Sequence, residues 1–124
     1  MQNSEVFRRG AVVPLDADAC SALRRSDVNE ATRVRRVQLD DDEHAFNWLC
    51  VHGFFEKLNT VSGALLDDFE ESEIGAGRVE HALEVVEWFR TNSGAPGDVR
   101  CFLLELAETC TEAIRLEMPV FFIL

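Results

Sequence analysis

The chain has 124 residues, of which 47% are hydrophobic and 28% are charged. This length is typical of one domain, and the balance is ordinary for a folded protein and too apolar for a disordered one. The formal net charge is −11, and an acidic field of this size repels nucleic acid and anionic membranes while it attracts basic proteins or cations. The sequence therefore predicts a single domain over residues 1–124 that binds neither nucleic acid nor membranes.

The charge is distributed unevenly along the chain. Residues 1–39 carry seven arginines against five acids, a net of +2, whereas residues 40–87 carry thirteen acids against two basic residues, a net of −11. Residues 88–124 add a net of −2. Self-repulsion on this scale opposes compaction, so the folded state needs a sizeable apolar core or a cationic partner.

A strand and a short helix are predicted near the start of the chain. Residues 6–13 end in β-branched side chains and are followed by Pro14. Asp16 is then placed to cap a short helix. The inward side of this helix consists of Ala19, Ala22 and Leu23. Residues 26–39 alternate only in part, and the pattern fits either an exposed strand or a helix.

The middle of the chain begins with a predicted helix N-terminus at residues 40–43, where acidic side chains favour the positive end of the helix dipole. Gly53 is expected to end this helix. Its amphipathic stripe consists of Ala45, Trp48, Leu49 and His52. Residues 54–66 are apolar without a clean period, and the acidic segment 67–73 is expected to be a solvated loop or a short helical turn.

Two further helices are predicted in the second half. The first covers about residues 77–91 and sets its acids, Glu80, Glu84 and Glu87, apart from its core side chains. Those core side chains are Val79, Leu83, Val86 and Phe89. The second helix is expected to start with Asp98 as its N-cap and to end before Pro119. Its apolar face consists of Phe102, Leu103, Leu106, Cys110, Ala113 and Ile114.

The last five residues, 120–124, contain no polar side chain. An all-apolar strand needs cover on both faces, so we expect it inside a sheet with helices packed on it. The first and last strands are candidates for neighbours in that sheet. The predicted fold class is α/β or α+β, with helices packed on a small sheet that includes the C-terminal strand.

The cysteines and the apolar runs bear on the cellular compartment. The four cysteines are Cys20, Cys50, Cys101 and Cys110, and they contain no C-x-x-C pair. Cys101 and Cys110 are expected on opposite faces of one helix, where they cannot form a disulfide. Unpaired thiols are typical of a reducing compartment. The absence of a signal-peptide pattern and of a run of about 20 apolar residues favours a cytoplasmic protein.

The sequence lacks the motifs of common catalytic and metal sites. His44 and His52 would lie two helical turns apart, about 12 Å along the axis, which is too far for two ligands of one zinc ion. The acidic clusters do not match a calcium loop, and neither a nucleophile elbow nor a phosphate-binding loop occurs. Tyrosine is absent and lysine occurs once. We therefore predict no enzymatic activity, no metal and no cofactor.

The remaining functional signal is the acidic surface. We expect it to engage a basic protein through residues Asp40, Asp41, Asp42, Glu43, Asp67, Asp68, Glu70, Glu71 and Glu73, with a possible extension to Glu80, Glu84 and Glu87. In size and charge alone, the chain resembles immunity proteins, which neutralise cationic toxins by occupying them. The resemblance implies no individual residue roles.

Three alternatives stay open at the level of sequence. The acids could be ordinary solubilising surface on a domain with another use. The chain could be a homo-oligomeric scaffold that shares apolar surface from FFEKLNTV, residues 54–61, or VFFIL, residues 120–124. It could also be a small ligand-binding or enzymatic domain, which would require a cleft with converging polar groups. The sequence leaves the oligomeric state open.

Overall fold

The structure is a computed structural model that describes residues 9–39, 44–62 and 71–123. Within these ranges the chain forms four strands and five helices. In chain order they are β1 (Gly10–Pro14), α1 (Ala17–Arg24), β2 (Val34–Gln38), α2 (His44–Val51), α3 (Phe54–Ser62), β3 (Glu71–Ile74), α4 (Val79–Asn92), α5 (Gly97–Leu116) and β4 (Val120–Ile123). The predicted fold class, helices on a small sheet that includes the C-terminal strand, is confirmed.

The four strands form one antiparallel sheet in the order β2-β1-β4-β3. The apolar strand β4 is hydrogen-bonded to β1 on one side and to β3 on the other. Both predictions for this strand are therefore confirmed: it is interior, and the first and last strands are neighbours. The described edge strands, β2 and β3, have the sequences VRRVQ and ESEI, and such charges discourage pairing with another chain.

Helices α2–α5 cover one face of the sheet and form most of the core. The strand side chains on this face are Ala11, Val13, Val37, Ile74, Val120 and Phe122. Phe122 packs edge-on against Phe55 of α3, with ring centroids 6.3 Å apart. On the opposite face, Val12 and Phe121 pack against Cys20 and Leu23 of α1. Because consecutive residues of β4 point to opposite faces, both helical layers bury part of the same strand.

The long helices follow the predicted patterns with small changes at their ends. Helix α4 buries Val79, Val86 and Phe89 as expected, and Leu83 is half-buried. Asp98 was expected to cap α5, but the cap position is Pro96 and Asp98 lies in the first turn. At this position its carboxylate still stabilises the helix, because negative charge interacts favourably with the N-terminal end of the helix dipole. At α1, Asp16 is the N-cap as expected, and its Oδ1 accepts a hydrogen bond of 2.8 Å from the Ala19 amide.

Two segments with ambiguous patterns take definite structures. Residues 54–62 form α3, whose buried positions include Ser62, and a polar residue at a core position masks the helical period. The Ser62 hydroxyl donates to the Leu58 carbonyl at 2.6 Å, which satisfies it inside the helix. Within residues 26–39, the ambiguity is resolved by β2, which pairs with β1 over five residues.

The expectation of a loop or helical turn over residues 67–73 is wrong where the structure describes it. Residues 71–74 form the edge strand β3, which pairs with β4 from Glu71 opposite Ile123 to Ile74 opposite Val120. Acidic residues have low intrinsic strand preference, so this segment becomes a strand through its pairing with apolar β4. The predicted first strand is observed from Gly10 to Pro14, while its residues 6–8 lie outside the described ranges.

Candidate protein-binding surface

Most of the acidic surface predicted from the sequence lies outside the described residues. This applies to Asp40, Asp41, Asp42, Glu43, Asp67, Asp68 and Glu70. The backbone of Glu71 belongs to β3. Glu73 is the one member of the predicted set whose side chain the structure describes.

Glu73 is engaged in an ion pair within the chain. Its two carboxylate oxygens accept hydrogen bonds from Nε and Nη2 of Arg24 at 3.1 Å and 2.9 Å. The hydrogen bond to Glu73 is also the main reason that the pKa of Arg24 is raised. The pair joins the C-terminal end of α1 to the edge strand β3, so Glu73 already has a structural role and its charge is offset.

The arginines of the N-terminal third are also paired with carboxylates of the same chain. The described pairs are Arg24 with Glu73, Arg25 with Asp27, Arg33 with Asp16, and Arg35 with Glu108, at N–O distances of 2.9, 4.0, 3.8 and 3.7 Å. Arg9 lies over the ring of Phe46, 3.9 Å from its centroid. The basic segment of the sequence is thus used largely for internal contacts.

Arg35 and Arg36 lie on opposite faces of β2. Arg35 reaches α5 through Glu108, while Arg36 stands opposite Val12 in the register and shares its face of the sheet. Two adjacent arginines separated in this way do not form one basic surface.

The solvent-facing side of α4 carries acidic side chains rather than basic ones. We define the α4 outer face as Glu80, His81, Glu84, Trp88 and Thr91, all of which are exposed. Glu80 and Glu84 form no ion pair with any described residue. Glu87, which the sequence grouped with them, is instead bonded to Arg90 at 2.6 Å. Within the described part of the chain, two of the three expected α4 acids therefore carry negative charge that no basic side chain offsets.

Trp88 is a member of this surface that the sequence analysis did not single out. Its side chain is 55% exposed, although its ring packs edge-on against Phe89 with centroids 5.2 Å apart. A signal was present in the sequence: Trp88 lies outside the apolar stripe of α4 and four residues after Glu84. That spacing places an aromatic ring one turn from a carboxylate on the same side of a helix.

The histidines of α2 have separate partners. His44 Nδ1 lies 2.6 Å from Oδ2 of Asp98, a contact between the starts of α2 and α5. His52 lies beyond the end of α2, where its ring stacks on Trp48 with centroids 3.8 Å apart. Within the described ranges, no group of three histidine, cysteine or acidic side chains is arranged to hold a metal ion.

Two shallow depressions occur on the described surface. One, of about 300 Å³, lies between α1 and the segment that follows it, and it is lined in part by Asp16, Arg25, Asp27 and Arg33. These charged groups are already paired with one another or cap α1. The other, of about 350 Å³, lies between the start of α4 and the end of α5 and is lined by Ala76, Gly77, Glu80, Ile114 and Glu117. Both are open to solvent.

None of the four cysteines forms a disulfide, as the sequence predicted. Cys101 is exposed and Cys110 is buried on the opposite side of α5, which confirms their placement on different faces. Burial raises the pKa of the Cys110 thiol to about 12, so that it acts as a small apolar group rather than a nucleophile.

Comparisons with known proteins leave the chain without a family assignment. No protein-family model, curated protein or solved structure matches it. None of the helices in the described ranges has both the length and the apolar content that crossing a bilayer requires. The function of the chain therefore has to be argued from its charges, exposed side chains and internal contacts.

Proposed function

We propose that this chain is a non-catalytic binding domain whose acidic surface occupies a basic protein, in the manner of an immunity-type inhibitor. The surface comprises the acids of residues 40–43 and 67–71, extended by Glu80 and Glu84 on α4. Four cysteines without a disulfide favour a reducing cytoplasm as the place where this binding occurs. No metal or cofactor takes part in the proposed function.

The observation that carries the proposal is the unequal neutralisation of charge. Four arginines of the N-terminal third pair with carboxylates of the same chain, and Arg90 and Arg115 on the long helices do the same. Glu80 and Glu84 remain exposed and without a described cationic partner. Most of the described basic side chains are therefore engaged within the chain. The chain has 23 acidic and 12 basic residues, and its excess negative charge is available to an external partner.

A surface of this kind favours fast association with a cationic protein. Complementary fields steer two proteins toward each other and raise the association rate by about 10²–10³-fold at low salt. The effect declines as salt shortens the screening length to about 8 Å. An inhibitor that must find its target before damage occurs benefits from association rate more than from contact area.

The oligomeric alternative was based on two apolar segments, and much of their apolar surface is buried within the chain. Phe54, Phe55 and Leu58 of the first apolar segment are buried in the core, as are Phe121 and Phe122 of the second. Side chains that already pack within one chain offer little apolar area to a second subunit. Among the described residues, two open depressions support the ligand-binding alternative, and Arg25 and Arg33 in the first are already paired with carboxylates.

The proposal can be tested by charge reversal. A tagged native protein and the variant D67K/D68K/E70K/E71K are used to capture proteins from the host lysate at low and high salt. The matched control reverses four exposed acids elsewhere, D18K/E30K/E105K/E117K, and therefore has the same net charge. The expected result is a basic protein that binds the native chain and the control at low salt, is lost at high salt, and binds the test variant poorly.

Association rates with the purified partner then decide the outcome. We expect the test variant to associate at least about tenfold more slowly than the control at low salt, with the difference disappearing as salt is added. Equal rates for the two variants would show that the acids act only through net charge and would remove the acidic interface as a specific site.

A further inference from the structure

The α4 outer face combines an exposed aromatic ring with unpaired carboxylates on a rigid element. Glu80, Glu84 and Trp88 follow one another at intervals of four residues, so they lie in a row along one side of the helix. The buried side of the same helix packs on α3 and α5. The row is therefore presented by an element whose position is fixed by the core.

Two features of this row are unfavourable in the isolated chain. Like charges at positions i and i+4, here Glu80 and Glu84, repel each other and destabilise a helix slightly. Trp88 leaves 55% of its side chain in water although an aromatic ring of this size gains much from burial. Arg78 lies just before α4 and Lys57 is exposed on α3, yet neither forms an ion pair with these acids. A cation supplied from outside would relieve both features at once.

We propose that the α4 outer face is the docking surface for an arginine- or lysine-rich segment of a protein partner, with Trp88 as its aromatic anchor. This inference rests on the proposed function and assigns it a place on the fold. The occupant is inferred from charge complementarity, because the face carries two unpaired carboxylates and no arginine or lysine.

The chemistry of the row suits a guanidinium group best. A planar guanidinium can stack on the indole of Trp88 while its N–H groups bond to the carboxylate of Glu84 one turn away. A second basic residue of the partner would then reach Glu80. Trp88 is held by its edge-on contact with Phe89, which itself packs edge-on against Phe54 at 5.2 Å. The anchor is thus positioned before binding, and little side-chain freedom is lost when the partner docks.

The test uses the full chain and an oligoarginine peptide as the probe at low salt. Binding is measured by calorimetry, and the site is located from two-dimensional NMR spectra of the isotopically labelled protein. Trp88→Ala removes the anchor, and Leu104→Ala truncates another exposed apolar side chain on α5 as its control. E80Q/E84Q removes the two carboxylates, and E30Q/E105Q removes two exposed acids outside the α4 outer face with the same change in net charge.

We expect Trp88→Ala to weaken peptide binding by about two- to fivefold and E80Q/E84Q by about two- to tenfold, each more than its control. Trp88→Phe keeps an aromatic face and should retain most of the affinity. The amide signals that shift on titration should centre on residues 80–91. Circular dichroism of each variant separates a loss of the surface from a loss of fold.

Other outcomes overturn the docking surface in distinguishable ways. If the shifts centre on residues 40–43 or 67–71, the acidic binding function survives and the assignment to α4 is wrong. Equal losses in E80Q/E84Q and E30Q/E105Q would show that peptide binding depends on net charge alone. An absence of peptide binding at low salt would overturn the α4 docking surface, whereas the proposed function would still be decided by the capture experiment with the charge-reversal variants. If sedimentation shows self-association that Trp88→Ala abolishes, the occupant is a second copy of the chain.

Discussion

At the scale of single residues, the structure shows which positions do not tolerate a larger side chain. Gly10 begins β1 opposite Gln38, and a Cβ atom added to it would lie 2.1 Å from the carbonyl oxygen of Val37. The neighbour is backbone in a paired strand, so it cannot move aside as a flexible side chain would. Gly77, in the turn before α4, has no atom within 4 Å of the corresponding position.

We therefore expect Gly10→Ala to lower the free energy of unfolding by about 1–3 kcal/mol, the usual cost of forcing an extra carbon into a packed site. Gly77→Ala serves as the matched control and should change stability by less than about 0.5 kcal/mol. Urea denaturation followed by circular dichroism measures both. Equal stabilities for the two variants would contradict the close approach of β1 to β2.

Cys110 gives a prediction about pH. Its thiol has a pKa raised by burial to about 12, compared with 9.0 for the free group, so the unfolded chain ionises first. A folded-state pKa above the unfolded one means that stability is intact below pH 9 and falls as the pH rises toward 12. Cys110→Ala should be less stable at neutral pH because of the lost packing, but its stability should fall less steeply between pH 9 and 11. Tyrosine is absent and lysine occurs once, so few side chains other than the cysteine thiols titrate in this window.

Denaturation midpoints measured at intervals of pH for both proteins give the two slopes. Parallel slopes would mean that the Cys110 thiol ionises in the folded chain as readily as in the unfolded one. Rates of alkylation provide an independent check, because exposed Cys50 and Cys101 should react well before Cys20 and Cys110.

At the scale of elements, β4 is the strand on which both halves of the core depend. Phe122 is 2% exposed on the face covered by α2–α5, while Phe121 faces α1. No other strand in the described sheet is as apolar, and β4 is bonded on both sides. Because of this location, a strand near the end of the chain can contribute as much to the stability of the fold as the long helices do.

We expect Phe122→Ala to cost about 3–5 kcal/mol of folding free energy, because the deleted ring leaves a cavity against Phe55. Such a loss is comparable to the total stability of many domains. Leu104→Ala, at a side chain that is 46% exposed, should cost far less. Thermal unfolding of the two variants beside the native protein tests this, and similar melting temperatures for all three would contradict the interior placement of β4.

At the scale of the whole molecule, the net charge of −11 acts on stability as well as on binding. Repulsion among uncompensated acids opposes the compact state and is screened by salt. The internal ion pairs reduce this repulsion only locally, and exposed pairs contribute about 0–1 kcal/mol each.

The melting temperature of the native chain should accordingly rise when salt is increased from a low value toward physiological ionic strength. The variant D67K/D68K/E70K/E71K, which removes most of the net charge, should be at least as stable at low salt and should respond less to added salt. Calorimetry over a salt series measures both responses. A native protein that is equally stable at all salt concentrations would show that self-repulsion is negligible in this fold.

The sequence by itself determined the elements whose local pattern was strong. The apolar periods of α4 and α5 identified their buried faces, and the absence of polar residues over 120–124 placed β4 inside the sheet. The net charge and the unpaired thiols were likewise readable from composition and spacing. Each of these follows from neighbours along the chain, since a helix or strand repeats over a few residues.

Only the tertiary structure decided the contacts between distant segments. Glu73 and Arg24 are 49 residues apart, and nothing local shows that this acid is neutralised while Glu80 and Glu84 are not. The strand β3 exists through its pairing with β4, and α3 was obscured because Ser62 holds a core position through a hydrogen bond to its own helix. Trp88 became part of a candidate docking surface in the same way, since packing of α4 on α3 and α5 left its ring beside unpaired acids. Pairing and exposure depend on which elements meet, and that is decided by the energy of the whole core rather than by any local pattern.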